Sequence, residues 1–386
     1  MKAKSASTLV SDSYRAGLAL GEELRPIRPE IVLLFSSVEY GTNGELLEGL
    51  YDAIGDDDLI VLGCTGDGFY ESSNVADSGA GALGLNSEGR NRWYVATAGG
   101  LREDPAGAAR ACHENLRKAM GADEPSLVLL FSDFRTDATR IEELIGEEIR
   151  VPVVGGLAAD GIRITECFVY VNRQVLTDTI AMVGVGGALQ YDITVGNSIP
   201  PVGKWGTIDR AAGTYVATID GEPAMDFIVR ETGKPVLYID RGVVALTVAD
   251  ADAPDRKRLR SIRSGEIDHQ GGIDLFGGIR GGEKVRVCCA QPEDLIAEVR
   301  AIAERVPQVD MNPAAALIVS CRGRKNILGE QVAREVEVMS ACLPAGFPIA
   351  GLPSHGEMGP LRSGDAYSRN MFHNMTYVLL LLGQGV

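Results

Sequence analysis

The chain reads as an α/β protein of mixed α+β character, with two domains of mixed sheets flanked by helices and a repeated β-α-β unit. Three observations carry that reading. First, an apolar strand ending in Ser, a helix-like stretch and a second apolar strand running into Gly occur three times, at Ile31–Ser36 to Leu59–Gly63, Leu127–Ser132 to Val151–Gly155 and Ala316–Ser320 to Phe347–Gly351. The similar Ser-to-Gly spacing is that of one unit used repeatedly. Second, each terminal Gly opens a polar, Gly-rich continuation: Cys64–Gly68, Gly156–Gly161 and Leu352–Gly359. Ligands of open α/β sheets bind at such strand exits. Third, at 386 residues the chain exceeds one ordinary core, which predicts two domains, 1–222 and 223–386.

In chain order, Val10, Tyr14, Leu18 and Leu24 recur near a helical period, so Thr8–Leu24 is expected to form a helix on a sheet. A second helix follows Asn43 on the stripe Leu46, Leu47, Leu50 and Ile54. The third has Asp104 as cap, Pro105 in its first turn and Gly121 beyond its end. The continuous apolar run Trp93–Ala98 predicts a buried strand. From Cys167 to Ile219 strands follow one another at Phe168–Val171, Thr179–Val185, Tyr191–Val195 and Tyr215–Ile219, an antiparallel or mixed sheet added to the β-α-β frame. The boundary is placed where Asp220–Phe227 turns into a short helix stopping near Gly233. Beyond it come strands at Val236–Ile239, Val243–Val248 and Val285–Cys289, a Pro292-led helix, the third repeat and a last strand at Thr376–Leu382.

A formal charge of −16 opposes nucleic acid and anionic membranes by Coulomb repulsion. The densest basic run, Arg256–Arg260, is expected to be a solvated turn or helix face. No apolar stretch follows Lys2 and Lys4, and the longest apolar run, Tyr377–Leu382, falls far below the roughly 20 residues a bilayer requires. The expectation is a cytoplasmic protein without membrane insertion. Seven Cys in neither an even framework nor a CxxC pair read as reduced thiols.

At Gly63–Gly68, closely spaced glycines let backbone N–H groups converge on an anion, with Thr65 and Asp67 as directional partners; the alternative is a tight strand exit capped by Asp67. Gly184–Gly187 resembles a nucleotide loop only superficially and reads as structural, since another strand follows it. Ser354–Pro360 is the most chemically loaded segment: His355 and Glu357 flank Gly356, placing imidazole and carboxylate at a loop mouth, or else a capping Glu beside an exposed His. Cys64 and Cys321 lie at strand ends, the latter followed by Arg322 and Arg324, and His355 or His373 could serve as base to either thiol. The four His form no zinc spacing, and no metal or cofactor is expected.

At these residues the chain resembles the FIST family, a sensory module with amino-terminal and carboxy-terminal halves found in signal-transduction proteins. The resemblance runs from about Glu30 to Leu382 through Leu62–Gly68, Val151–Gly156, Ala181–Gly187 and Ile219–Ala224, then Ala316–Gly323, Gly351–Pro360 and His373–Thr376. It implies sensing of small molecules, amino acids being the suggested class, with no established catalysis. Gly356-Glu357 and Asn374-Met375-Thr376 follow the family pattern; Pro353-Ser354-His355 departs from it where an aromatic is often found. The two sensory halves account for the chain, so signalling is expected to pass to a separate partner protein, and a homo-oligomer is compatible with this. The expected ligand set is Cys64, Thr65, Asp67, Gly155, Gly156, Arg322, Ser354, His355, Glu357 and Asn374. In it Arg322 clamps a carboxylate, while Glu357 and Asp67 receive an amino group. The rival readings are a hydrolase or acyl transferase using Cys321 or Cys64, and an interaction scaffold that presents a flat apolar patch.

Overall fold

The computed structural model describes residues 1–161, 165–237, 243–249, 257–263, 271–364 and 366–384. The architecture is mixed α/β: four sheets and eight α-helices among the described residues. The first repeat runs β1 (Lys2–Thr8), α1 (Ser13–Leu24), β2 (Ile31–Ser36), α2 (Glu45–Ile54), β3 (Ile60–Thr65), the hairpin β4 (Phe69–Glu71) and β5 (Asn74–Ala76), and β6 (Ala80–Asn86). The second follows the same order with β7 (Asn91–Gly99), α3 (Pro105–Met120), β8 (Pro125–Ser132), α4 (Ala138–Glu147), β9 (Val153–Leu157), β10 (Val169–Val171), β11 (Gln174–Leu176) and β12 (Thr179–Gly187).

The third repeat begins at β13 (Gln190–Gly196) and is interrupted by an insertion. That insertion comprises β14 (Pro201–Ala212), β15 (Tyr215–Ile219), β16 (Glu222–Pro223), α5 (Ala224–Thr232), β17 (Ala245–Ala249), β18 (Lys257–Ser261), β19 (Ile273–Asp274) and β20 (Lys284–Cys288), which build the fourth sheet. The repeat then resumes with α6 (Pro292–Ala303), β21 (Asn312–Cys321), α7 (Arg322–Leu328), α8 (Arg334–Ala341), β22 (Ile349–Ser354), β23 (Glu357–Ser363), β24 (Ala366–His373) and β25 (Tyr377–Gln384).

The parallel pairs β2/β3, β8/β9 and β21/β22 are the three β-α-β units expected from the sequence. In each, the Gly of the second strand lies against the first: a Cβ on Gly63, Gly155 or Gly351 would sit 1.8, 1.7 or 1.9 Å from the carbonyl oxygen of Leu34, Leu130 or Ile318. No side chain fits there, which is why all three copies carry Gly. The repeats exchange strands in a closed cycle. Sheet one runs β1-β6-β2-β3-β10-β11, sheet two β7-β12-β8-β9-β23-β24 and sheet three β13-β25-β21-β22-β4-β5, so each hairpin completes a neighbouring repeat's sheet. Position 222 lies in β16, and strands from either side of it share sheets two and three.

Both faces of the central strands are buried, as their unbroken apolar runs predict. Ile31, Leu33 and Phe35 join Leu127, Leu129 and Phe131 and Ala315, Leu317 and Val319 in one core shared by the three sheets. Phe35 meets Phe131 edge-on at 5.4 Å between centroids. The alternate residues turn outward under helices: Val32 and Leu34 with α1 and α2, Val128 and Leu130 with α3 and α4, Ala316 and Ile318 with α6 and α8.

Several expectations need correction. Lys2–Thr8 is a strand antiparallel to β6, and the first helix starts only at Ser13 behind the Asp12 cap, because Asp12 accepts the Arg15 N–H and stops the helix running back. Trp93–Ala98 lies in the edge strand of sheet two and is mostly half-buried rather than buried, since β12 pairs it on one side only. The basic run is neither turn nor helix face: Lys257–Ser261 is strand, with Arg258 and Arg260 buried, while Arg256 lies outside the described residues. Of the expected strand Val236–Ile239, the last two residues also lie outside them.

Candidate functional site

The exits of β3, β9 and β22 meet. The Asp67 N–H donates to the Pro353 carbonyl (3.1 Å), the Ala159 N–H to Thr65 (2.8 Å) and the His355 N–H to Leu157 (3.3 Å). Each exit donates to the next, so three equivalent hydrogen bonds close a ring that links all three repeats. The hairpins add a second layer: the Thr65 N–H donates to Phe168 and the Leu157 N–H to Gly356, both at 2.9 Å, while Pro353 has no N–H to offer in the third position.

Beneath the ring, the Ser at the end of each central strand reports how far the repeats have diverged. Ser36 shares a hydrogen bond with the Tyr170 hydroxyl at 2.7 Å. Ser320 donates to Glu335 at 2.8 Å, and Tyr70 donates to the same carboxylate at 3.2 Å. The residue matching these tyrosines in register is Met358, which sits opposite Gly155 as Tyr170 sits opposite Gly63 and Tyr70 opposite Gly351. Accordingly the Ser132 hydroxyl has no partner.

Charge gathers at the rim. Asp67 accepts from Arg322 Nε at 3.0 Å and pairs with Lys325 Nζ at 3.2 Å, and Lys325 also donates to the Asp67 carbonyl at 2.6 Å. These three side chains are 14–15% exposed, so water reaches the cluster. Across the ring, His355 Nε2 lies 3.6 Å from Asp160, and its ring tilts against Phe134 with centroids 4.7 Å apart. Burial pushes the Asp160 carboxyl up, but His355 and the backbone N–H groups of Glu166 and Thr165 outweigh it and hold the group at about 2. At the end of β8, Asp133 is fully buried; desolvation is again outweighed, by the Arg135 guanidinium and the N–H groups of Arg135 and Asp178, leaving it at about 2.

Glu357 behaves oppositely. Burial pushes its carboxyl up to about 8, against hydrogen bonds donated by Ser354 Oγ (2.7 Å) and Thr376 Oγ1 (2.8 Å). It is therefore mostly protonated at neutral pH and ties the β22 exit to β25.

Of the expected ligand residues, Thr65, Asp67, Gly156, Ser354, His355 and Glu357 lie on or directly behind the ring, and Arg322 reaches it through Asp67. The Thr65 hydroxyl accepts the Phe168 N–H at 3.1 Å. Gly155 belongs to the strand packing above, whereas Gly156 admits Gly356 O and Ser354 Oγ to within 2.8 and 3.3 Å of where a Cβ would stand. Cys64 is enclosed in the central core, where burial raises its thiol pKa well above the ordinary value, and burial likewise raises that of Cys321. His373 is buried too, its Nε2 2.9 Å from the Gly359 carbonyl, and burial lowers it to about 4. Asn374 turns toward the fourth sheet, its Oδ1 accepting the Ser261 N–H at 3.3 Å.

The FIST N domain matches residues 30–222 and the FIST C domain residues 224–360. The chain belongs to the FIST family. FIST domains are sensory domains of signal transduction. A relative of this FIST chain is an uncharacterized protein of Methanocaldococcus jannaschii, MJ1623, 24% identical over 230 residues. The match takes in 56% of this chain and 43% of the relative, so the chain spans less than half the length of that protein.

Sequence reasoning missed Lys325, Asp160 and the Asp133–Arg135 pair. Lys325 had a signal: three residues after Arg322 in a helical segment is the same face. Asp160 stood in the quoted second exit but lacked an obvious partner, because His355 is brought to it only by the ring. No three His, Cys, Asp or Glu side chains among the described residues are grouped to hold a metal ion, and no helix there is long and apolar enough to cross a membrane.

Proposed function

We propose that this FIST protein senses an amino acid or a related small carboxylate at the ring, and passes the signal to a separate protein partner. The observation that carries the reading is the Asp67 cluster: an Arg, a Lys and an Asp held together at a partly open junction of all three repeats. A zwitterion offers that cluster a charge of each sign. Its carboxylate takes the Arg322 fork and Lys325, and its ammonium takes the carboxylate of Asp67 that those cations release. The two internal pairs of Asp67 with Arg322 and Lys325 are thereby exchanged for pairs to the ligand, while Lys325 keeps Asp77 at 2.7 Å, so the site holds no buried unpaired charge.

Glu357, protonated and engaged by Ser354 and Thr376, supports the site from behind by fixing the β22 exit. Because Asp67 belongs to the first repeat and Arg322 to the third, occupancy alters a contact between repeats, which is the change a partner would read. Seven cysteines in neither an even framework nor a CxxC pair support a reducing compartment such as the cytoplasm.

The test is a thermal-shift series with amino acids and small carboxylates on the wild type, Arg322→Ala and Asp67→Asn. Binding to the folded state raises the melting temperature. A dose-dependent rise with one member of the panel, lost in both variants, is expected. No rise across the panel, or a rise unchanged in both variants, overturns the proposal.

A further inference from the structure

A second site lies away from the ring, in the crevice where the fourth sheet joins the third repeat. The cavity there has a volume of about 490 Å³, within the range of sites that hold a small cofactor or metabolite. The corner between β13 and β14 forms its floor, and its charged lining among the described residues is wholly basic: Lys257, Arg286, Arg305 and Arg362. In a chain with 53 acidic and 37 basic residues that is opposite to the overall balance.

The four cations are not one solvated face. Lys257 opens β18, Arg286 is in β20, Arg305 follows α6 and Arg362 is in β23, so four separate elements from both the insertion and the core point charge at one space. Arg362 is paired with Asp192. Arg286 spends its Nε on the Gly203 carbonyl at 2.7 Å, and among the described residues Lys257, Arg286 and Arg305 form no ion pair with a carboxylate. Like charges gathered in one space repel one another, and an anion relieves that repulsion. The lining also includes Trp205, 41% exposed on β14, with the Lys257 ammonium 5.9 Å from its ring centroid. A large indole left in water beside cations supplies a flat face for a ring.

We infer that this crevice is a binding site for a ring-bearing phosphate the size of a mononucleotide, the phosphate held by Arg286, Arg305 and Lys257 and the base laid on Trp205. Guanidinium groups match phosphate oxygens two at a time, and a base stacks on an aromatic whatever its sequence of polar groups. The site is independent of the ring. Since its walls come from both the insertion and the third repeat, a ligand there fixes one against the other.

The experiment is titration calorimetry of the full chain with adenosine 5′-monophosphate, guanosine 5′-monophosphate, adenosine and inorganic phosphate, alongside intrinsic fluorescence. The chain has two Trp, and Trp93 is buried. One nucleotide per chain is expected, bound more weakly as salt rises. Arg305→Ala and Trp205→Leu should each weaken it by about tenfold or more, and the fluorescence change should vanish in Trp205→Leu. Arg286→Gln replaces Arg305→Ala if that variant does not fold. The inference is overturned if neither nucleotide binds at millimolar concentration, if phosphate alone binds as tightly as the nucleotide, or if Arg322→Ala abolishes binding while the crevice variants retain it.

Discussion

Glu357 and His373, two buried groups near one strand pair, act on stability in opposite directions as pH changes. His373 is lowered from 6.5 to about 4, so the unfolded chain binds its proton more readily between those values and stability rises with pH across that window. Glu357 is raised from 4.5 to about 8, so the folded chain keeps a proton that the unfolded chain has lost, and stability falls as pH rises from 4.5 to 8. These two slopes oppose each other between 4.5 and 6.5, and of the two only the fall from Glu357 remains above 6.5. In urea denaturation the part of wild-type stability that depends on Glu357 should therefore decline from pH 5 toward pH 8, by about 1.4 kcal/mol per pH unit at most. Glu357→Gln keeps a neutral side chain in place. It should abolish the decline and unmask the rise below pH 6.5; identical profiles for the two proteins would show that Glu357 is ionised in the fold. Much at this scale was legible in the sequence. The three glycines, which lie two or three residues inside the ends of β3, β9 and β22, and the polar exits stood out because steric need leaves few choices of residue. The protonation state of Glu357 was not legible, since it depends on enclosure by Ser354, Thr376 and Cys321 rather than on its neighbours in the chain.

At the scale of elements, β18 is the instructive case. A run with Arg at 258 and 260 reads as solvated because a lone guanidinium is costly to bury. The fold meets that cost with partners from elsewhere: Arg260 Nη2 donates to Glu142 of α4 at 2.7 Å, Nη1 to the Phe372 carbonyl of β24 at 2.8 Å and Nε to the Gly278 carbonyl at 3.1 Å. One side chain thus bolts the inserted sheet to the second and third repeats. Arg260→Ala strands the carbonyls and the carboxylate and should cost about 3–5 kcal/mol. Arg260→Met, which fills the space without charge, should cost less in stability yet still loosen the insertion, seen as faster proteolysis in the 197–200 link relative to the wild type. Unchanged stability and proteolysis in both variants would remove Arg260 as the anchor. Of the three-residue hairpin strands, β10 was expected as Phe168–Val171, but β4, β5 and β11 escaped sequence reading for a related reason. They are too short to show a period, and the strands that hold the two hairpins, β22 and β3, are far away in sequence.

At the scale of the molecule, no sheet of the core is made by one repeat. The amino-terminal segment 1–222 supplies β4, β5 and β13 to sheet three but lacks β21 at its centre and the β22 and β25 with which β4 and β13 pair. Expressed alone it should be poorly soluble or lack sharp tertiary signals, and co-expression with 223–386 should restore a cooperative complex. A stable, monomeric 1–222 with a cooperative thermal transition would show that the exchanged strands are dispensable. Sequence could reveal the repeats, because each is written locally, but not their exchange, which is a matter of partners separated by hundreds of residues.

Synthesis proceeds from one end, and the closed cycle therefore imposes an order on birth as well as on form. The β4–β5 hairpin leaves the ribosome long before β22, and at about 5–20 residues per second the interval is on the order of tens of seconds. For that time the nascent chain carries open strand edges and an uncovered share of the common core, the very surfaces that invite other chains to pair. A molecule whose first repeat waits for its last thus depends on protection during translation, and its yield should respond to chaperone supply more steeply than its final stability would indicate.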